Sequence, residues 1–169
     1  MKKLLVSGLL ATFFIVAPAS VADTSAGASS SAEVIQPLNI VKTADLYFGA
    51  FVNSGVALND TIEIRDTDGV VTYNVSSHFQ PIPSEPPHRA TFLITGAPGY
   101  TVAVTRTATP ISLGGGMQVQ ALDEDPSPGF TLPPGGLTLY VGGRLRVTSP
   151  GLVTPGVYSA PFTATVSYE

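Results

Sequence analysis

The sequence predicts an all-β chain folded as an immunoglobulin-like antiparallel β-sandwich. Three observations point there. Apolar and polar residues alternate with a period of two in one segment after another. The 17 glycines and 15 prolines gather between those segments, where turns belong. Only 12% of the residues are charged, too few for solvated helices or a coiled coil. The 44% hydrophobic content and a mean hydropathy of +0.31 supply a core and argue against disorder. A sandwich is preferred over a closed barrel, because the long proline-rich segments suit crossings between sheets. The chain has no cysteine, which excludes a disulfide scaffold, a thiolate metal site and a thiol enzyme.

Residues 1–22 read as a signal peptide. Lys2 and Lys3 precede an apolar run from Leu4 to Val16, Pro18 breaks it, and Ser20-Val21-Ala22 offers small residues for cleavage. The run is shorter than the ~20 residues that span a bilayer. Cleavage leaves six basic against twelve acidic residues, a net charge of −6. That balance disfavours nucleic acid, and no basic cluster addresses anionic lipid. Residues 23–31 are small and polar, a flexible leader. The domain is expected over 32–169.

Within it, Ala32, Val34, Leu38 and Ile40 share one parity. Leu46, Phe48, Ala50 and Val52 alternate next. Ile62 and Ile64 alternate with Thr61, Glu63 and Arg65, and Asp68-Gly69 turns that strand into residues 70–75. Residues 77–88 hold four prolines and are expected as a long loop. Residues 90–95 form a strand, 96–99 a turn, and Tyr100, Val102 and Val104 the next strand. Gly114-Gly115-Gly116 turns into Met117, Val119 and Ala121. Residues 123–136, with three acids, four prolines and three glycines, are expected as a second loop. Leu137, Leu139 and Val141 lead through Gly142-Gly143 to Leu145 and Val147.

The last segment carries the firmest pattern. Gly156, Tyr158, Ala160, Phe162, Ala164, Val166 and Tyr168 are all glycine, aromatic or aliphatic, and after Val157 the odd positions are polar except Pro161. This predicts a thirteen-residue strand with one face in the core. Pro161 lacks an N–H, so the strand must be an edge or carry a bulge.

A penultimate tyrosine with glycine fourteen residues from the end resembles the C-terminal signature of chaperone–usher fimbrial subunits. The resemblance implies that a periplasmic chaperone pairs with the final strand, and that a neighbour's N-terminal strand later replaces it. In strand addition of this kind a partner fills an open edge. More of the chain resembles an uncharacterised secreted domain family of Gram-negative bacteria, catalogued as a domain of unknown function. That resemblance covers roughly residues 32–168. It rests on Ala32-x-Val34-x-x-Pro37-Leu38-x-Ile40, Leu46-x-Phe48-Gly49, Phe92-x-Ile94-Thr95-Gly96-x-Pro98-Gly99-Tyr100, Leu139-x-Val141-Gly142-Gly143-x-Leu145-x-Val147 and Pro155-Gly156-x-Tyr158. It brings no catalytic residues. Val34, Leu38 and Ile40 are the candidate donor strand for a neighbour.

Other chemistry is sparse. His78, Glu85 and His88 have no compact metal-ligand spacing. Asp66-Thr67-Asp68-Gly69 is half a calcium loop without its distal ligands, and Asp123-Glu124-Asp125 reads as a solvated acidic run. Asn59-Asp60-Thr61 and Asn74-Val75-Ser76 match the glycosylation sequon, which matters only in a eukaryotic secretory context. No nucleophile elbow or phosphate loop is present. The expectation is an exported, non-catalytic structural or surface-assembly subunit without cofactor or metal. It would be periplasmic, at the cell surface or extracellular. Its partner would be protein: a chaperone or further copies of itself. The alternative is a monomeric binding module, for carbohydrate, using loops 77–88 and 123–136 with Phe79 and Phe130.

Overall fold

A computed structural model of the chain describes residues 24–53, 55–74, 78–127 and 129–169. The expected signal peptide lies outside the described residues. The chain divides into two units, Met1–Glu33 and Val34–Glu169. In the first, residues 24–33 carry no regular structure.

The second unit is an all-β, antiparallel sandwich. Its large sheet is organised by one long strand, β11 (Leu137–Val147). The N-terminal half of β11 pairs with β6 (Ala90–Thr95), and β6 pairs in turn with β1 (Asn39–Ala44). The C-terminal half pairs with β3 (Thr61–Ile64), and β3 with β4 (Val71–Tyr73). The same length of β11 also pairs with β9 (Met117–Asp125), and β9 with β8 (Ile111–Gly114). A second sheet has the order β10 (Phe130–Thr131), β7 (Thr101–Arg106), β12 (Ala164–Tyr168). A third is the pair β2 (Phe51–Asn53) and β5 (Phe79–Pro81).

Two core clusters follow from this layout. Leu139 and Val141 of β11 pack with Ala90, Phe92 and Ile94 of β6 and Val102 and Val104 of β7. Leu145 and Val147 pack with Ile62, Phe79, Met117 and Val153. The odd residues of β11 point inward along its whole length, so one strand serves both clusters. Gly142 is buried where β6 gives way to β3. A Cβ there would overlap the Ile64 carbonyl oxygen and crowd the Asp66 amide nitrogen at 2.6 Å. Only glycine admits the close approach.

Several sequence expectations need correction. The strand expected over 46–52 is interrupted at Gly49, whose positive φ of 84° and contact with Pro87 turn the backbone. Only Phe51–Asn53 is strand, and Tyr47 forms an isolated bridge with His88. The proline-rich loop 77–88 contains β5. Its Phe79 is buried, edge-on to Phe51 at 4.5 Å. β8 was not anticipated. The segment 123–136 is not one loop: β9 runs through Asp125, β10 follows, and Leu132 is fully buried.

The change in β9 has a defined cause. Ala121 pairs with Arg144, but Val119 pairs with Leu145, so Gln120 is an extra residue in a β-bulge. Met117 and Val119 face inward before it. After it the parity reverses, and Leu122 and Glu124 take the inward positions. An acidic run expected in solvent therefore places one carboxylate in the interior.

Candidate functional site

β12 is shorter than the thirteen residues expected. Only Ala164–Tyr168 is strand. Upstream, Thr163 is tied to Thr107: the Thr107 N–H donates to the Thr163 carbonyl at 3.0 Å, and the Thr163 N–H donates to the Thr107 hydroxyl at 2.9 Å. Pro161 can donate nothing and ladder pairing stops just beyond it. The alternation nevertheless continues. Tyr158, Ala160, Phe162, Ala164, Val166 and Tyr168 are half-buried, the odd positions between them are exposed, and Gly156 is exposed.

Each end of the row is anchored by a tyrosine. The Tyr158 ring lies over the backbone of Gly115, leaving no room for a Cβ. Its hydroxyl donates to the Thr154 carbonyl at 2.6 Å and accepts from the Thr154 N–H at 3.2 Å. Phe162 meets Phe92 edge-on, with ring centroids 6.3 Å apart. The Tyr168 hydroxyl accepts from the buried Ala97 N–H at 2.7 Å and donates to the Gln36 carbonyl at 2.7 Å. Its ring packs edge-on to Tyr100 at 5.6 Å. Gly96 sits beneath that hydroxyl, and a Cβ there would lie 2.5 Å from the oxygen and 2.9 Å from Leu38.

The backbone polarity of β12 follows from its ladder. The Thr107–Thr163 bond and the donation from the Glu169 N–H to the Thr101 carbonyl at 3.1 Å show that the odd residues bond toward β7. In an antiparallel ladder the even residues then turn their N–H and C=O groups the other way. Ala164, Val166 and Tyr168 thus present backbone donors and acceptors along the outer edge. Among the described residues no strand pairs with that edge. A row of apolar side chains, half covered, lies beside a row of free backbone groups.

The candidate donor residues divide. Val34 is 95% exposed. Leu38 and Ile40 pack against the chain's own core, and Ile40 pairs with Ile94 in β1–β6.

Ionisable groups near the fold's seams are mostly committed. Arg106, opposite Ala164 on β7, donates from Nε to the Leu122 carbonyl at 2.8 Å and pairs with the buried Glu124 carboxylate at 2.9 Å. Burial pushes the Glu124 carboxyl above its ordinary range. Arg106 pulls it back only in part, and Asp123 and Asp66 add to the rise. Asp60 is equally buried but shifted the other way. Burial raises its pKa, yet the Ala57 N–H at 2.7 Å, the His78 N–H at 3.2 Å and the His78 ring at 3.1 Å outweigh that and hold it low. Sequence reading noticed Asp60 only as part of a sequon, and no local pattern signals its burial. His88 lies against Tyr47, apart from that pair. No group of three or more His, Asp or Glu side chains among the described residues is arranged to hold a metal ion. Phe130 is half-buried on the core, so neither aromatic of the expected carbohydrate loops is displayed. No helix among the described residues is long and apolar enough to cross a membrane.

Residues 38–168 match the family described as a domain of unknown function, DUF4402. The chain belongs to that family. No curated protein and no solved structure matches it. The DUF4402 match starts at Leu38, not at residue 32, and ends at Tyr168. Those two residues meet at Gly96, so the limits of this DUF4402 domain are joined in space.

Proposed function

We propose that this DUF4402 domain is an exported, non-catalytic structural or surface-assembly subunit, similar to fimbrial subunits, that acts by accepting a partner strand along β12. The observation that carries the reading is the open edge of β12, where Ala164, Val166 and Tyr168 present free backbone groups beside a half-covered apolar row. A strand added there would pair those groups and cover Phe162, Ala164 and Val166. The partner is protein, either a periplasmic chaperone or another copy of the chain. Leu38 and Ile40 serve the chain's own fold, so of the three candidate donor residues only Val34 is left to reach a neighbour.

The test is Ala164→Pro. The Ala164 N–H faces outward, so proline there removes an outer donor and leaves the bonds to β7 in place. Size exclusion of the chain beginning at residue 23 should show assembly or chaperone capture, and A164P should abolish it with little change in the melting temperature. A chain that stays a stable monomer, alone and with the chaperone, would sink the reading. The loop-based carbohydrate module has no supporting observation, because Phe79 and Phe130 face inward.

A further inference from the structure

The outer face of the large sheet carries a depression of about 330 Å³, well away in sequence from β12. It crosses β9, β11, β3 and β4, a breadth of roughly 14 Å at the usual strand spacing. Its polar lining includes Glu63, Thr72, Gln120, Arg144 and Arg146. The residues that line it are all polar, so hydrogen bonds would hold a ligand there. It suits a ligand that is itself a row of hydroxyl groups.

Much of that lining is held in place before any ligand arrives. The Arg144 guanidinium grips one Glu63 oxygen, Oε2, from Nε at 2.9 Å and from Nη2 at 2.6 Å. The Asn74 side chain accepts from the Thr61 N–H at 3.1 Å and donates to the Asn59 carbonyl at 3.2 Å. Other groups are left with capacity to bind. The Thr72 hydroxyl and the Gln120 amide have no protein hydrogen-bond partner among the described residues. Gln120 is the extra residue of the β9 bulge, a feature that re-aims a side chain.

The charges do not cancel. Arg144 is neutralised by Glu63, whereas Arg146 is held by the neutral side-chain oxygen of Asn59, through Nε at 2.9 Å and through Nη2. One uncompensated guanidinium therefore stands in a polar trough, on a chain whose net charge is −4. Such a group seeks a carboxylate, with which it forms charge-assisted hydrogen bonds. We infer that this trough binds a short acidic saccharide, its carboxylate on Arg146 and its hydroxyls on Thr72, Gln120 and the remaining oxygen of Glu63.

The probes are a glucuronate trisaccharide, a neutral glucose trisaccharide and acetate, titrated into the labelled chain and read by amide chemical shifts. The acidic trisaccharide should bind saturably with shifts confined to the trough. The neutral trisaccharide and acetate should be at least about tenfold weaker, and Arg146→Gln should weaken the acidic one by about tenfold or more. Thr72→Trp, at an exposed position with no internal side-chain bond, should block binding without changing the fold. A164P should bind normally, which separates this site from the strand edge. Equal binding of the neutral sugar, equal binding of acetate, unchanged binding in R146Q or no saturable binding would each overturn the proposal.

Discussion

Tyr168 shows how much one hydroxyl can hold. It bridges the Ala97 N–H of one turn and the Gln36 carbonyl of the entering segment. Tyr168→Phe keeps the ring against Tyr100 but strands a buried donor. It should cost about 1–3 kcal/mol in a urea melt, more than an exposed tyrosine would. Asp60 and Glu124 make a second residue-scale case, with opposite signs. The Asp60 pKa is lowered on folding, so its contribution is present above the unfolded value and is lost as pH falls through the folded one. The Glu124 pKa is raised, so folding favours its protonated form and stability declines as pH rises from the unfolded value through the folded one. Melting curves across the acid range should show Asp60→Asn flattening the acid-side loss. Glu124→Gln should remove the decline above it. A matching pH profile for wild type and either variant would contradict the assignment.

Elements divide sharply in what their residues announce. The β3–β4 hairpin was readable because Asp68-Gly69 supplies the turn locally: Gly69 takes a φ of 73° and the Asp68 carboxylate accepts from the Val70 N–H at 3.0 Å. β11 was readable because its odd residues stay apolar across two glycines. β5 was not, because Phe79 is drawn into a strand by Phe51, twenty-eight positions earlier, against the prolines beside it. The burial of Glu124 was not readable either. It depends on a bulge set by pairing with β11 and on Arg106 from another strand. The polar trough was invisible for a related reason: Glu63, Gln120 and Arg144 lie far apart in sequence and meet only through the register of β11. That register predicts the most severe single change. Gly142→Ala would drive a Cβ into the Ile64 carbonyl at the point where β11 changes partners. A loss of about 3 kcal/mol, or failure to fold, is expected in thermal melts. Gly99→Ala, whose Cβ would meet no neighbouring atom, should lose less and only through its positive φ of 85°.

At the scale of the whole molecule, β11 decides when the fold can exist. Among the described residues β3 and β6 are joined only through it, and β9 reaches the large sheet by the same strand. A chain ending at residue 136 would hold β1–β6, β2–β5, β3–β4, β8–β9 and β7–β10 as separate two-stranded pieces. Isolated two-stranded pieces of that size are marginal in water at best. A fragment comprising residues 23–136 should therefore lack cooperative unfolding and be cut quickly by protease, whereas the chain through residue 169 resists. More than four-fifths of these 169 residues must therefore be present before the large sheet can close. Until then the polypeptide is a set of unjoined strand pairs, and folding is timed by its last long strand.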